Sequence, residues 1–159
     1  MTAARQVAWK PAIVAALAAF LVAGTGGALT RLGPWYFALN KPWWQPPGWA
    51  FGPAWTLIFG LIAASGAVAW HRSRSASARR AIIAAFALNA LLNMGWSLLF
   101  FHLQHPDWAV IEVAFLWLSI VVLILVVRRS SDRAAWLLAP YLCWVSFASF
   151  LNFTIVRLN

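Results

Sequence analysis

The sequence predicts an all-α integral membrane protein, a bundle of five transmembrane helices in one domain over residues 1–159. Three observations predict it. Hydrophobic residues make up 64% of the 159-residue chain, against 12 Lys or Arg and 3 Asp or Glu. Soluble domains run about 45–50% apolar and about 25% charged, so a globule this small has too few polar groups to cover itself, and lipid must do so. Five apolar windows, at 11–30, 51–70, 81–101, 108–127 and 134–156, come close to the roughly 20 residues that cross a bilayer and use up nearly the whole chain. Every Lys and Arg falls outside those windows.

The first window has a basic start, Arg5 and Lys10, and small residues near its end, Ala23, Gly24, Gly26, Gly27 and Ala28. A signal peptide shares that make-up, but this apolar stretch is longer than a signal core and is read as a retained span. The connection that follows, 31–50, differs in kind from the other three. Pro34, Pro42, Pro46 and Pro47 stiffen it, because each fixes φ and restrains the residue before it. Trp35, Tyr36, Phe37, Trp43, Trp44 and Trp49 make it strongly aromatic. An interfacial belt explains such rings, but it does not explain the prolines. An ordered lid over a site explains both.

In the second window Trp55, Phe59, Ile62 and Gly66 recur at helical spacing on one face. The connection His71–Arg80 is basic and Ser-rich, a solvated turn at the level of anionic lipid head groups. The third window repeats the facial pattern with Asn89, Asn93, Trp96, Ser97 and Phe100. Its Ala81, Ala84, Ala85, Ala87 and Ala90 allow close packing, against a second subunit or within the bundle. Span four opens at Pro106, beside His102, His105 and Asp107. A connecting turn accounts for these three, and no metal site is expected. Glu112, about one turn into the span, is read as snorkelling or as favoured by the helix N-terminus. The fifth window aligns Tyr141, Trp144, Ala148 and Asn152. The single cysteine, Cys143, excludes an internal disulfide and is read as a buried thiol. Trp9, Trp70, Trp108 and Trp136, each near a span end, fit the interfacial belt.

Three faces therefore point amides and aromatic rings at a common interior, with Gly66 and Ala148 leaving space there. Interhelical glue and a ligand pocket both account for the amides. The net charge of +9 does not indicate nucleic acid, because of where it sits. Nine basic residues (Arg5, Lys10, Arg72, Arg74, Arg79, Arg80, Arg128, Arg129, Arg133) fall on one side and three (Arg31, Lys41, Arg157) on the other. The positive-inside rule then puts the N-terminus in the cytoplasm and the C-terminus outside, if the chain inserts into an inner membrane. Paired carboxylates are missing, so conventional acid–base catalysis lacks its inventory, and ion-coupled transport lacks paired intramembrane charges.

Three blocks carry a resemblance. They are Trp35-Tyr36 with Leu39-Asn40-Lys41-Pro42-Trp43-Trp44-Gln45-Pro46-Pro47 and Pro53-Ala54-Trp55-Thr56; Leu92-Asn93-Met94-Gly95-Trp96-Ser97-Leu98-Leu99-Phe100-Phe101; and Pro140-Tyr141-Leu142-Cys143-Trp144 through Ala148 to Asn152. In this order they resemble the TspO/MBR family, the tryptophan-rich sensory proteins and the mitochondrial translocator protein, also known as the peripheral-type benzodiazepine receptor. The resemblance implies a five-helix bundle, commonly a homodimer, whose ligand pocket is closed by the first loop. It implies binding of porphyrins such as protoporphyrin IX, and of isoquinoline or benzodiazepine-type drugs, with no cofactor required. Carried over by motif, the pocket residues are Tyr36, Pro46, Trp55, Asn93, Trp96, Ser97, Trp144 and Ala148, with Arg31 and Lys41 as propionate contacts.

Two positions depart from the family. Asn89 stands where Gln is common, and Phe153 stands where the mitochondrial sterol pattern has Tyr, so the resemblance does not carry sterol binding to this chain. Sensing or sequestering a porphyrin is the expected function. The alternatives are light- and oxygen-dependent degradation of protoporphyrin IX, with Trp55 and Trp144 at the reactive species, and transport of a porphyrin or another amphiphile.

Overall fold

The first long helix, α1, runs Trp9–Leu29 and ends where Thr30 N–H turns back to the Gly26 and Gly27 carbonyls, at 3.0 and 3.1 Å. The computed structural model describes residues 9–159; Arg5 and the basic start it contributes lie outside the described residues. After a short helix α2, Pro34–Ala38, come α3, Gly48–Arg72, and α4, Ala76–Ser97, which continues as a π turn through Leu98–His102. Then follow α5, Pro106–Arg128, a short α6, Asp132–Trp136, and α7, Ala139–Leu158. Five stretches are long and apolar enough to cross a bilayer, Trp9–Leu29, Gly48–Arg72, Ala76–His102, Pro106–Arg128 and Asp132–Leu158.

The helices extend beyond the apolar windows because helix boundaries follow caps, not hydropathy. α4 starts five residues earlier than its window because Ser75 takes the Ala78 N–H at 3.1 Å, an N-cap satisfying one orphan donor of the first turn. Pro47 and Gly48 likewise start α3 inside the expected lid. The fifth span is broken at Leu137–Leu138, where Pro140 has no N–H to offer the preceding turn. The π turn closes with Leu103 N–H to the Leu98 carbonyl at 2.8 Å, and Gln104 leaves it in the left-handed region at φ 59°.

Packing closes the five long helices into a ring: α1 lies on α3 and α4, α4 on α5, α5 on α7, and α3 on α6 and α7. Its two ends are filled differently. Toward the α3–α4 and α5–α6 connections the core is aliphatic, with Ala69, Ile82, Leu123, Val127, Ala134 and Leu138 buried. There Ser65 Oγ donates to the Ala134 carbonyl at 2.8 Å, joining α3 to α6. Toward the lid, Phe100, Ala109, Leu151 and Ile155 are surrounded by rings. Gly66 opens no space in the bundle. A Cβ there would meet the Phe86 ring at 3.5 Å and Ala15 at 3.8 Å, so the glycine lets α1, α3 and α4 approach.

Candidate functional site: an aromatic cluster beneath a hydrogen-bonded lid

Residues 31–47 cross the aromatic end, and their rings divide by direction. Trp35, Tyr36 and Trp44 turn inward: Trp35 meets Phe100 edge-on at 6.1 Å, Tyr36 meets Phe101 at 5.7 Å, and Trp44 stacks on Phe150 at 5.3 Å. Phe37, Trp43 and Trp49 turn outward, Trp43 with 95% of its surface exposed. The loop thus divides its rings between the bundle and the outer surface.

The lid is fastened by hydrogen bonds at its turn. Asn40 N–H donates to Asn159 Oδ1 at 2.9 Å, Asn40 Nδ2 to the Leu158 carbonyl at 3.3 Å, and Asn159 Nδ2 to the Asn40 carbonyl at 3.0 Å. Lys41 Nζ donates to the Tyr36 carbonyl and to the Leu39 carbonyl, the latter at 3.1 Å, and sits 4.5 Å over the Tyr36 ring. The ammonium expected at the mouth therefore braces the lid from within, whereas Arg31 is exposed. Pro46, half-buried, follows Gln45, whose Nε2 donates to Tyr36 Oη at 3.3 Å. Gln45 Oε1 is buried with no partner among the described residues. Sequence reasoning quoted Gln45 in the motif but missed it as a site residue, because only the fold turns it under the lid.

Below the lid, α3, α4 and α7 bring the expected residues together. Trp55 and Trp144 meet edge to face at 6.3 Å, Trp55 lies 6.3 Å from Tyr141, and Phe51 covers Trp144 at 5.7 Å. Trp96 stacks on Phe100 at 5.2 Å; it packs against the core around Ile120, Tyr141 and Val145 that Trp55 and Trp144 also meet, and against the Phe100–Leu151 core that Tyr36 meets. Its indole Nε1 donates to Asn152 Oδ1 at 3.1 Å, and Asn152 Nδ2 donates to the Pro106 carbonyl at 2.9 Å. Ser97 is buried facing α1, its Oγ 3.8 Å from where a Gly26 Cβ would sit. Ala148 is half-buried on the Trp144 face of α7.

The two amides of α4 serve a relay running across the bundle. Asn93 Nδ2 donates to Tyr141 Oη at 3.1 Å, Tyr141 Oη to Asn89 Oδ1 at 3.2 Å, Asn89 Nδ2 to Ser119 Oγ at 2.9 Å, and Ser119 Oγ to the Leu116 carbonyl at 2.7 Å. Of the two sequence readings of these amides, this geometry is the interhelical one. Buried polar groups in lipid need such partners.

Two further residues differ from expectation. Glu112 does not snorkel: its carboxyl turns toward Gly95, with Oε1 3.6 Å from that residue's Cβ position, and both oxygens are buried without a partner among the described residues. Cys143 is exposed on the outer surface of α7. His105 Nδ1 lies 3.6 Å from Asp107 Oδ1, and its ring stacks on Trp108 at 5.3 Å, as a connecting turn would have it.

The sequence profile of the TspO/MBR family matches residues 12–158, which spans all five helices and the lid. The chain belongs to the TspO/MBR family. It is 42% identical to the tryptophan-rich protein TspO of Chlorobaculum tepidum over 126 residues, covering 79% of this chain and 80% of the relative. It is 34% identical to the tryptophan-rich sensory protein of Cereibacter sphaeroides, over 90% of this chain and 88% of the relative. The translocator protein of Sus scrofa is 30% identical, over 95% and 91%. TspO/MBR membership agrees with five apolar helices, and the chain is an integral, multi-pass membrane protein.

Proposed function

We propose that this chain is a membrane receptor that binds a porphyrin such as protoporphyrin IX, or another flat hydrophobic ligand of the isoquinoline or benzodiazepine type, between α3, α4 and α7. The observation that carries the reading is the convergence of Tyr36, Trp55, Trp96 and Trp144 under a lid held by a few hydrogen bonds. Rings packed on rings exchange readily for rings packed on a macrocycle, because face and edge contacts of similar area replace one another. Release of the lid admits the ligand, and Pro46 and Tyr36 cover it. Gln45 Oε1, an acceptor without a donor, suits a ring or side-chain N–H. Arg31, exposed beside the lid, would pair with a propionate at the mouth, and Lys41 would join it when the lid lifts. No cofactor is needed for this role, and the porphyrin is ligand.

A second reading is photodegradation of the bound porphyrin. It draws on the Trp55–Trp144 pair at 6.3 Å, two oxidisable rings in the same cluster. Exposed Ala81, Ala84 and Ala87 on α4 suit a homodimer contact. The basic end, with Lys10, Arg72 and Arg129, suits the cytoplasmic face, which places the N-terminus inside.

The test is tryptophan-fluorescence quenching by protoporphyrin IX in detergent, comparing wild type with Trp55→Phe/Trp144→Phe in the dark and after illumination. Saturable dark quenching, roughly tenfold weaker in the double variant, is the expected result. New absorbing products that depend on both indoles would add the degradation reading. Unsaturable quenching of folded protein rejects the porphyrin.

A further inference from the structure

The end of the bundle remote from the lid has a concave surface of its own. A cavity of about 890 Å³ opens between the α3–α4 connection and the last turn of α5, and Arg72, Arg74, Ser75, Ser77, Arg129 and Ser130 are among its walls. Among the described residues, no acidic side chain lines it.

The arginines at this end fall into two groups. Arg79 is held: its Nε donates to Ser73 Oγ at 3.2 Å and its guanidinium lies 5.0 Å over the Trp70 ring. Arg128 is held too, by Asp132 at 3.1 Å. Arg72, Arg74 and Arg129, the three that line the cavity, are exposed and make no hydrogen bond or ion pair with any of the described residues. Three like charges around one concavity repel unless an anion lies between them. Seryl hydroxyls supply further donors on the same wall, and the first turn of α4 adds the positive end of a 22-residue helix. At the same end Trp70 is half-buried and Trp136 is exposed, the arrangement of rings that marks the head-group layer.

We propose that this cavity is a binding site for a phosphomonoester, presented as the head group of an anionic lipid at the membrane surface. A planar guanidinium binds two phosphate oxygens at once. A monoester carries about 1.5–2 negative charges at neutral pH, which suits three convergent arginines better than the single charge of a phosphodiester. The site is separate from the aromatic cluster, so its occupancy does not depend on whether a porphyrin binds at the other end.

The experiment uses the full chain, delipidated in neutral detergent, and measures binding of phosphatidic acid, phosphatidylglycerol and phosphatidylcholine of equal acyl length by native mass spectrometry. Wild type is compared with Arg72→Gln/Arg74→Gln/Arg129→Gln and with Arg80→Gln/Arg128→Gln/Arg133→Gln, which removes the same charge from the same end but outside the cavity. Phosphatidic acid is expected to bind roughly tenfold tighter than phosphatidylglycerol. That preference should vanish in the cavity triple, fall partway in Arg74→Gln alone, and persist in the other triple. Equal loss in both triples, or no preference for the monoester, would overturn the proposal in favour of unspecific charge attraction. Glycerol phosphate separates the sources: displacement of the lipid assigns recognition to the phosphate as such, and retention of the lipid assigns it to the membrane-borne form.

Discussion

The two ends of the bundle solve the same packing problem with different materials. Around Leu123, Leu138 and Val127 the interior is aliphatic, made of side chains with few alternative partners. Around Trp96, Phe100 and Trp144 it is made of rings, and these are joined to the lid by edge and stacking contacts. Aliphatic packing is lost when it is opened, since a void too small to fill simply forfeits contacts. Ring packing is replaceable, since another flat molecule offers the same faces. On the proposed function, the contrast gives stability to one end and ligand exchange to the other.

Cutting into the aliphatic end should have the largest effect. Leu123, on α5, is fully buried in the core it shares with Ala69, Ile82 and Ala134, and Leu123→Ala should cost about 2–4 kcal/mol by leaving a cavity. Denaturation in mixed micelles checks the loss. Protoporphyrin quenching at temperatures where the variant stays folded should be unchanged, and a shift there would erase the division between the ends. Next in size is the relay between them. Tyr141→Phe keeps the ring but leaves Asn93 Nδ2 without an acceptor and Asn89 Oδ1 without a donor. A loss of about 1–2 kcal/mol is expected, with little change in porphyrin affinity, because the hydroxyl faces amides. A large fall in affinity with unchanged stability would move the relay from scaffold to site.

Much of this was legible in the sequence, and the reasons differ by element. The inward stripe on α4 was readable because a membrane helix hides its amides: Asn89, Asn93 and Ser97 are all buried as spacing predicts. The same period on three helices set Trp55, Trp96 and Trp144 against one core, where Trp55 and Trp144 touch. Partners were not readable, because helical spacing gives a face but not the rotation of the neighbouring helix. The relay through Tyr141 to Ser119 therefore emerged only from the fold. The partners of Lys41 were hidden for a related reason. A charged side chain in a loop looks available, but here the backbone folds back and offers it the carbonyls of Tyr36 and Leu39. Of the two readings of Glu112, snorkelling fails, because its carboxyl turns toward the open side of Gly95 and is buried there.

The smallest expected effect lies at the lid and sharpens the comparison most. Asn40→Ala removes the Nδ2 bond to the Leu158 carbonyl, and Asn159→Ala removes the bonds its amide makes to Asn40. Each bond is worth about 0.5–1.5 kcal/mol at most, and at this exposed turn water replaces part of it, so global stability should fall by about 1 kcal/mol or less. The consequence should be kinetic. If the lid gates exchange of rings for ligand, loosening it raises association and dissociation rates together, and the equilibrium constant moves little. Stopped-flow quenching by protoporphyrin IX resolves the two rates, and hydrogen exchange at residues 34–46 reports the opening directly. Faster exchange in the lid with unchanged ligand rates would mean that the ligand enters between helices from the bilayer, leaving the lid as a cover that the ligand never has to pass.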